Sequence, residues 1–254
     1  LPEVDSSLSL SQDTLFAGEL ICRQPVNGYR FSIDAVLAAQ FVLPQPGGRV
    51  LDLGCGCGVV GLILAYRVTG LMVHGLEVQS DLAELARGNI RANGFTARMQ
   101  IYEGDVRDIA RQIQPEIYDQ VVCNPPYGTA GDGRISRNTQ AAIARHALNG
   151  TLTDFIAAAA YAVRNRGRVV FIYPARRGVD LLQTLVAYRL IPKRMQPIYS
   201  FPGSGSARLL LVEAVKNGGQ QLELLAPFYI YQQQHGAYSA DMQALYEGNR
   251  CLPR

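Results

Sequence analysis

From Arg49 onward, apolar runs of strand length alternate with helix-length segments. This alternation limits the chain to a mostly parallel sheet with helices on both faces. RVLDLG (49–54) reads as a buried strand and 59–68 as an apolar helix. LMVHGLEV (71–78) is a second strand, and SDLAELARGNIRANG (80–94) an amphipathic helix stopped by Gly94. ARMQIYEGD (97–105) is a third strand, 106–113 a short helix, and YDQVVCNPP (118–126) a fourth strand ended by two prolines. The segment 128–140 is a polar loop. Beyond it, LTDFIAAAAYAVRNRG (152–167) predicts a helix ended by Gly167, RVVFIYP (168–174) a fifth strand, and 178–190 another helix. Strands at 194–199 and 208–214, joined by the short FPGSGS loop, predict a closing antiparallel hairpin. The expected fold class is α/β: a doubly wound, seven-stranded, mostly parallel sheet with an antiparallel C-terminal hairpin.

Residues 1–48 and 217–254 break the pattern. TLFAGELICRQP (14–25) predicts a small hairpin, and FSIDAVLAAQFVL (31–43) a helix ended by Pro44. We expect residues 1–48 to be an N-terminal extension capping the ligand edge, 49–216 to be the core, and the Gln/Tyr-rich tail 217–254 to pack on it. A short helix is expected near 239–247.

Composition narrows the class. Hydrophobic residues make up 48% of the chain and charged residues 18%, which excludes wholesale disorder. No apolar run reaches the ~18 residues of a membrane-spanning helix, and LPEVDSSLSLSQ at the start lacks the regions of a signal peptide. Cys22, Cys55, Cys57, Cys123 and Cys251 are scattered, with no Cys/His pair at zinc spacing, so a reduced, cytoplasmic protein without bound metal is expected. The net charge is only +3, but every basic residue other than Lys193 and Lys216 is arginine. Arginine grips phosphate with two bonds and stacks on bases.

VLDLGCGCGVVG (50–61) is a strand running into a glycine turn and a helix, and holds the fingerprint Gly56-x-Gly58-x-x-Gly61. Glu77 follows about 20 residues on, where such folds place a ribose-binding acid. Asp52 selects the ligand. A carboxylate at the strand end repels a pyrophosphate but attracts S-adenosylmethionine, whose sulfonium and α-amino groups are cationic. On this reading Glu77 accepts from the ribose hydroxyls, Asp105 from the adenine amino group, and Val106 lies beside the adenine ring. All three acids end successive strands, the edge where doubly wound sheets bind ligands.

The fourth strand runs into Asn124-Pro125-Pro126-Tyr127. Prolines stiffen the turn and leave carbonyls with fixed direction. An exocyclic amine on a base is a poor nucleophile because its lone pair is delocalised into the ring. Acceptance of its two N–H bonds by the Asn124 side chain and the Pro125 carbonyl would aim the lone pair at a methyl group, and both bonds strengthen as the nitrogen gains charge. Tyr127 would stack on the target base.

The series DLGCGCG, LEV, EGD and NPPY resembles the Rossmann-like class I S-adenosylmethionine-dependent methyltransferases that act on planar amino nitrogens. ICRQPVNGYRFSIDAVLAAQF (21–41), ARH (144–146) and PKR (192–194) further resemble the bacterial valine-tRNA (adenine-N6) methyltransferase family, over about residues 12–216. The resemblance implies cofactor contacts from Asp52, Gly54, Cys55, Gly56, Gly58, Glu77, Val78, Asp105, Val106 and Asn124, with the segment from Tyr29 to Asp34 over the methionine end. It implies an RNA substrate, a tRNA adenine near the anticodon. Arg134, Arg137, Arg145 and Arg194 are the first candidates to hold RNA, and Arg164, Arg166, Arg176 and Arg177 are further ones. Two rivals stay open: a glutamine-N5 protein methyltransferase using the same tetrapeptide, and a non-catalytic module binding S-adenosylmethionine and RNA.

Overall fold

The structure is a computed structural model and describes residues 9–26, 32–127 and 150–248. Its elements are β1 (Leu10–Leu15), β2 (Leu20–Pro25), α1 (Ile33–Phe41), β3 (Arg49–Leu53), α2 (Val59–Arg67), β4 (Met72–Glu77), α3 (Ser80–Ala92), β5 (Met99–Glu103) and β6 (Tyr118–Cys123). They continue as α4 (Leu152–Ala162), β7 (Val163–Pro174), α5 (Gly178–Ala187), β8 (Leu190–Tyr199), β9 (Leu209–Lys216), β10 (Glu223–Leu224), β11 (Phe228–Tyr229) and α6 (Ala240–Tyr246).

Seven strands form the sheet in the order β8-β9-β7-β6-β3-β4-β5. Only β9 runs antiparallel to its neighbours. The reversal of winding at β3 and β6 puts a crevice at their carboxyl ends, where this topology binds ligands. Two layers of apolar side chains cover the sheet. One joins α1, α2, α3 and α6 to residues such as Val50, Val122 and Ile198; the other joins α4 and α5 to Leu51, Val121 and Phe171. Alternate residues along each strand feed opposite layers, as the two-residue strand period requires.

Several boundaries differ from the sequence reading. The helix expected at 152–167 ends at Ala162, and β7 starts at Val163. Gly167 is therefore inside a strand. A Cβ there would lie 2.6 Å from Val163 Cγ2 and 2.9 Å from the Asp119 carbonyl, so the glycine permits close approach rather than stopping a helix. Residues 106–113 form a single 3-10 turn, Val106–Arg111, interrupted at Asp108. β8 begins at Leu190, four residues before the expected strand. The tail adds β10 and β11, each paired parallel to the outer side of β8. Gly94 ends α3 as expected: its φ is 69°, and Phe95 N–H reaches back to the Ile90 carbonyl at 3.0 Å.

The β1–β2 hairpin is held to α3 by two asparagines. Asn89 Oδ1 accepts from Arg23 N–H at 2.9 Å, and its amide donates to the carbonyls of Arg23 and Cys57, both at 2.9 Å. Asn93 does the same for Ile21, with bonds of 2.9 and 2.7 Å. These side chains satisfy β2 groups that no strand pairs, and Asn89 links the hairpin to the glycine turn. Among the described residues no helix is long and apolar enough to cross a membrane.

Candidate active site

The glycine turn joins β3 to α2. Gly54 N–H donates to the Leu76 carbonyl at 2.8 Å, and Gly56 N–H to Glu77 Oε2 at 2.8 Å. Gly56 and Gly58 have φ of 55° and 85°, the left-handed region that suits glycine. A Cβ on Gly58 would also press to 3.2 Å from the Ala86 Cβ. The turn is thus fixed from below by β4 and from the side by α3.

A cavity of about 230 Å³ opens above it. Asp34, Gly54, Gly56, Glu77, Val78, Val106, Asn124, Pro125, Pro126 and Tyr127 line it, which brings together ten of the residues singled out from sequence. Ser32, within the segment expected over the methionine end, also lines it, and Leu76, Gln79, Leu82, Gly104 and Phe155, which complete the wall, were not singled out for the site. Phe155 reaches the cavity from α4, with its ring 3.1 Å from the Cβ position of Gly54. Its sequence signal is an aromatic near the start of an alanine-rich helix, whose other aromatic is Tyr161.

The acids differ in their surroundings. Burial raises Glu77, and N–H donation from Gln79 and Gly56 offsets part of that rise. Gln79 N–H meets Glu77 Oε1 at 3.0 Å. Asp52 is 2% exposed; burial first, then the Glu77 carboxylate, push it up to about 8. It sits below the turn and is absent from the cavity wall, as are Cys55 and Gly58. Cys55 faces β4, where its Sγ lies 2.7 Å from the Cβ position of Gly75.

Asp105 carries a local structural role. It caps the following 3-10 turn, accepting Arg107 N–H at 2.8 Å, and forms an ion pair with the Arg107 guanidinium. That guanidinium holds its carboxyl below the usual range. Gly104 and Val106 represent this strand end in the wall, and Asp105 between them does not line it.

At the end of β6, Tyr127 hydroxyl donates to Asn124 Oδ1 at 2.6 Å. The Tyr127 ring stands edge-on to Tyr173, 5.8 Å between centroids.

The arginines are placed less favourably for RNA. Arg194 is enclosed in the fold: its guanidinium lies 4.8 Å from the Phe41 ring centre and 3.7 Å from Glu213 Oε2. It is occupied by the core, because β8 turns it toward α1 rather than toward solvent. Arg164 and Arg166 stand at the opposite, amino end of the sheet, on Asp119 and on the Asn217 carbonyl. Arg176 and Arg177 are at the carboxyl edge. Tyr29, Arg134, Arg137 and Arg145 lie outside the described residues.

Asp34 Oδ1 and Asp52 Oδ2 have no hydrogen-bond partner among the described residues. At Asp34, which lines the cavity, a buried carboxylate oxygen without a donor calls for a cationic partner, which a phosphate-bearing dinucleotide does not bring to this end. The residues present fit S-adenosylmethionine, and the class so defined is the S-adenosylmethionine-dependent methyltransferases. Comparison with known proteins agrees. Residues 34–182 match the methyltransferase small domain family. A tRNA1(Val) (adenine(37)-N6)-methyltransferase from Porphyromonas gingivalis is 31% identical over 187 residues, covering 71% of this chain and 72% of the relative. A namesake from Yersinia enterocolitica is 28% identical over 216 residues, 84% of this chain and 82% of the relative. The chain belongs to the methyltransferase small domain family and, within it, to the family of these tRNA1(Val) methyltransferases.

Solved structures agree on the fold. A predicted O-methyltransferase from Agrobacterium tumefaciens has a TM-score of 0.71 at 24% identity, over 87% of this chain and 99% of that one. A geranyl diphosphate C-methyltransferase from Streptomyces coelicolor, in complex with S-adenosyl-L-homocysteine, has a TM-score of 0.52 at 14% identity, over 72% and 78%.

Proposed function

We propose that this chain transfers a methyl group from S-adenosylmethionine to the exocyclic N6 of an adenine in tRNA, beside the anticodon. The observation that carries the reading is the position of Asn124, Pro125, Pro126 and Tyr127 in the wall of the cavity that the glycine turn floors. The relatives' names supply the polymer.

When bound, the cofactor supplies an electrophilic methyl on a cationic sulfur. Asp34 and Asp52 hold its cationic end, with the buried Asp52 acting through the turn above it. Glu77 accepts from the ribose hydroxyls. Leu82, Val106 and Phe155 enclose the adenine ring and exclude water. Ser32 and Asp34 wall the methionine end, and the tail packs on the core through Met242 and Leu245.

Asn124 Oδ1 and the Pro125 carbonyl then accept the two N–H bonds of the target amine. Tyr127 leaves Asn124 and stacks on the swung-out base. Charge that develops on the nitrogen is met by two fixed acceptors, so the transition state is bound more tightly than the ground state. The amine loses its proton after transfer, so the site needs alignment more than a strong base. Cys22, Cys55, Cys57 and Cys123 are free thiols, which suits the reducing cytoplasm where tRNA is processed.

The test is transfer of labelled methyl from S-adenosylmethionine into total RNA, DNA and protein, followed by nucleoside and amino-acid analysis. We expect label in N6-methyladenosine of tRNA. Label in protein glutamine would overturn the reading.

A further inference from the structure

Beyond β8, on the same carboxyl edge of the sheet as Asn124, the tail builds an open slot. It lies between Ser200–Phe201 at the end of β8 and the turn 231–236, and Phe201, Tyr231, Gln234 and His235 line it. The slot is part of a built structure. Tyr231 N–H donates to the Ser200 carbonyl at 2.8 Å, Tyr231 and Tyr238 pair across the turn, and their rings stack at 5.5 Å and 21°. Gln232 N–H closes the turn on the Ala237 carbonyl at 3.0 Å. This leaves Gln234 and His235 exposed at the tip, with Phe201 and Tyr231 half-buried behind them.

A rigid slot with aromatic walls and amide and imidazole groups at its mouth matches a nucleobase, which has two π faces and a polar rim. Basic residues lie between it and the cavity. Arg208 opens β9 and is exposed, and it meets no acidic side chain among the described residues. Its backbone carbonyl accepts from Ala175, beside the exposed Arg176 at the end of β7. The strand order β6-β7-β9-β8 separates slot and Asn124 by three inter-strand steps, roughly 14 Å at about 4.8 Å per step. That is the span of a few nucleotides of single strand.

We propose that this slot binds an unstacked base of the RNA substrate, a few nucleotides from the methylated adenine, with Arg208 holding the intervening phosphate. The proposal rests on the RNA reading of the active site. The tail thereby measures the loop: adenine enters the catalytic turn while a second base anchors on the far side of the sheet edge. It also gives the Gln/Tyr-rich tail a role in choosing substrate that the catalytic tetrapeptide, shared by enzymes of different polymers, does not supply.

The experiment uses the full chain with Phe201→Ala, Tyr231→Leu, Tyr231→Phe, His235→Ala and Arg208→Ala. The probes are a labelled RNA hairpin with adenine 3′ of its anticodon triplet, and an adenine-containing trinucleotide too short to reach the slot. We expect Phe201→Ala and Tyr231→Leu each to weaken hairpin binding and raise its KM about tenfold, the effect of losing one base stack. Values of kcat, cofactor affinity and trinucleotide methylation should stay unchanged, and Tyr231→Phe should restore binding. Arg208→Ala should weaken binding and flatten its salt dependence by about one phosphate contact. Hairpin affinities within twofold of the parent for Phe201→Ala, His235→Ala and Arg208→Ala together would overturn the slot, while methylation of the hairpin still upheld the active-site reading. Hairpin binding lost in those variants, with no adenine methylation by the parent, would leave the slot standing and remove the catalytic reading.

Discussion

Tyr127 hydroxyl and Asn124 Oδ1 form a hydrogen bond of 2.6 Å, which occupies the acceptor that the proposed reaction offers to the target amine. The free site is therefore self-satisfied: the half-buried amide oxygen has a donor from within the same turn. On the proposed mechanism, substrate exchanges one donor for another and frees the tyrosine ring to stack.

This exchange sets the behaviour of Tyr127 variants. Tyr127→Phe keeps the ring and leaves Asn124 open, so kcat/KM should remain within about threefold of the parent. Tyr127→Ala loses the stack and should fall about 10–100-fold, mainly through KM. Steady-state kinetics on a tRNA substrate checks this. If the phenylalanine variant is as impaired as the alanine one, the hydroxyl itself takes part in transfer.

Asn124→Ala removes a transition-state acceptor while leaving the glycine turn and Glu77 in place. Single-turnover transfer should drop about 10²–10³-fold, with S-adenosylmethionine affinity by calorimetry changed only a few-fold. Normal turnover in this variant would remove Asn124 from the chemistry.

Asp52 gives the cofactor-free protein a pH-dependent stability. Burial and Glu77 raise its carboxyl to about 8 in the fold, above its unfolded value of about 4. Folding therefore takes up a proton between these two values, and stability falls as pH rises through that window. Asp52→Asn removes this loss. Its melting temperature should exceed that of the parent at pH 8.5 by several degrees more than at pH 5, while cofactor affinity weakens. A difference in melting temperature that is flat with pH would show Asp52 ionised in the fold at both.

Arg194 should act as a structural residue. Replacing it by alanine strips a guanidinium from the Phe41 ring and from Glu213, which is 1% exposed. Glu213 keeps its 2.6 Å ion pair with Arg168, so the cost should fall below the about 3–5 kcal/mol of a buried charge left wholly unpaired. Thermal melting should drop, and the salt dependence of tRNA binding should match the parent. A reduced salt slope would return Arg194 to the RNA surface.

The seven central strands were legible because each is an apolar run bounded by turns, and the glycine turn and Asn-Pro-Pro-Tyr could be read as local motifs. What failed was non-local. The Asp105 carboxylate is paired with Arg107, two residues on, a contact that the sequence does not announce. Arg194 looked free because nothing in β8 alone says that Glu213 of β9 stands beside it. Phe155 arrives at the cavity from a helix far along the chain. β10 and β11 are two residues long, too short to show a period, and form only because β8 offers them an unpaired side.

That unpaired side has a consequence of its own. Leu225 and Ile230 donate to the carbonyls of Met195 and Tyr199 along the outer margin of β8, and the Gln196 amide ties down the Ala226 carbonyl. A chain ending at Lys216 would bare that margin as a template for strand addition by another copy. The last segment thus covers an otherwise open sheet edge, and its loss should lower solubility as well as RNA affinity.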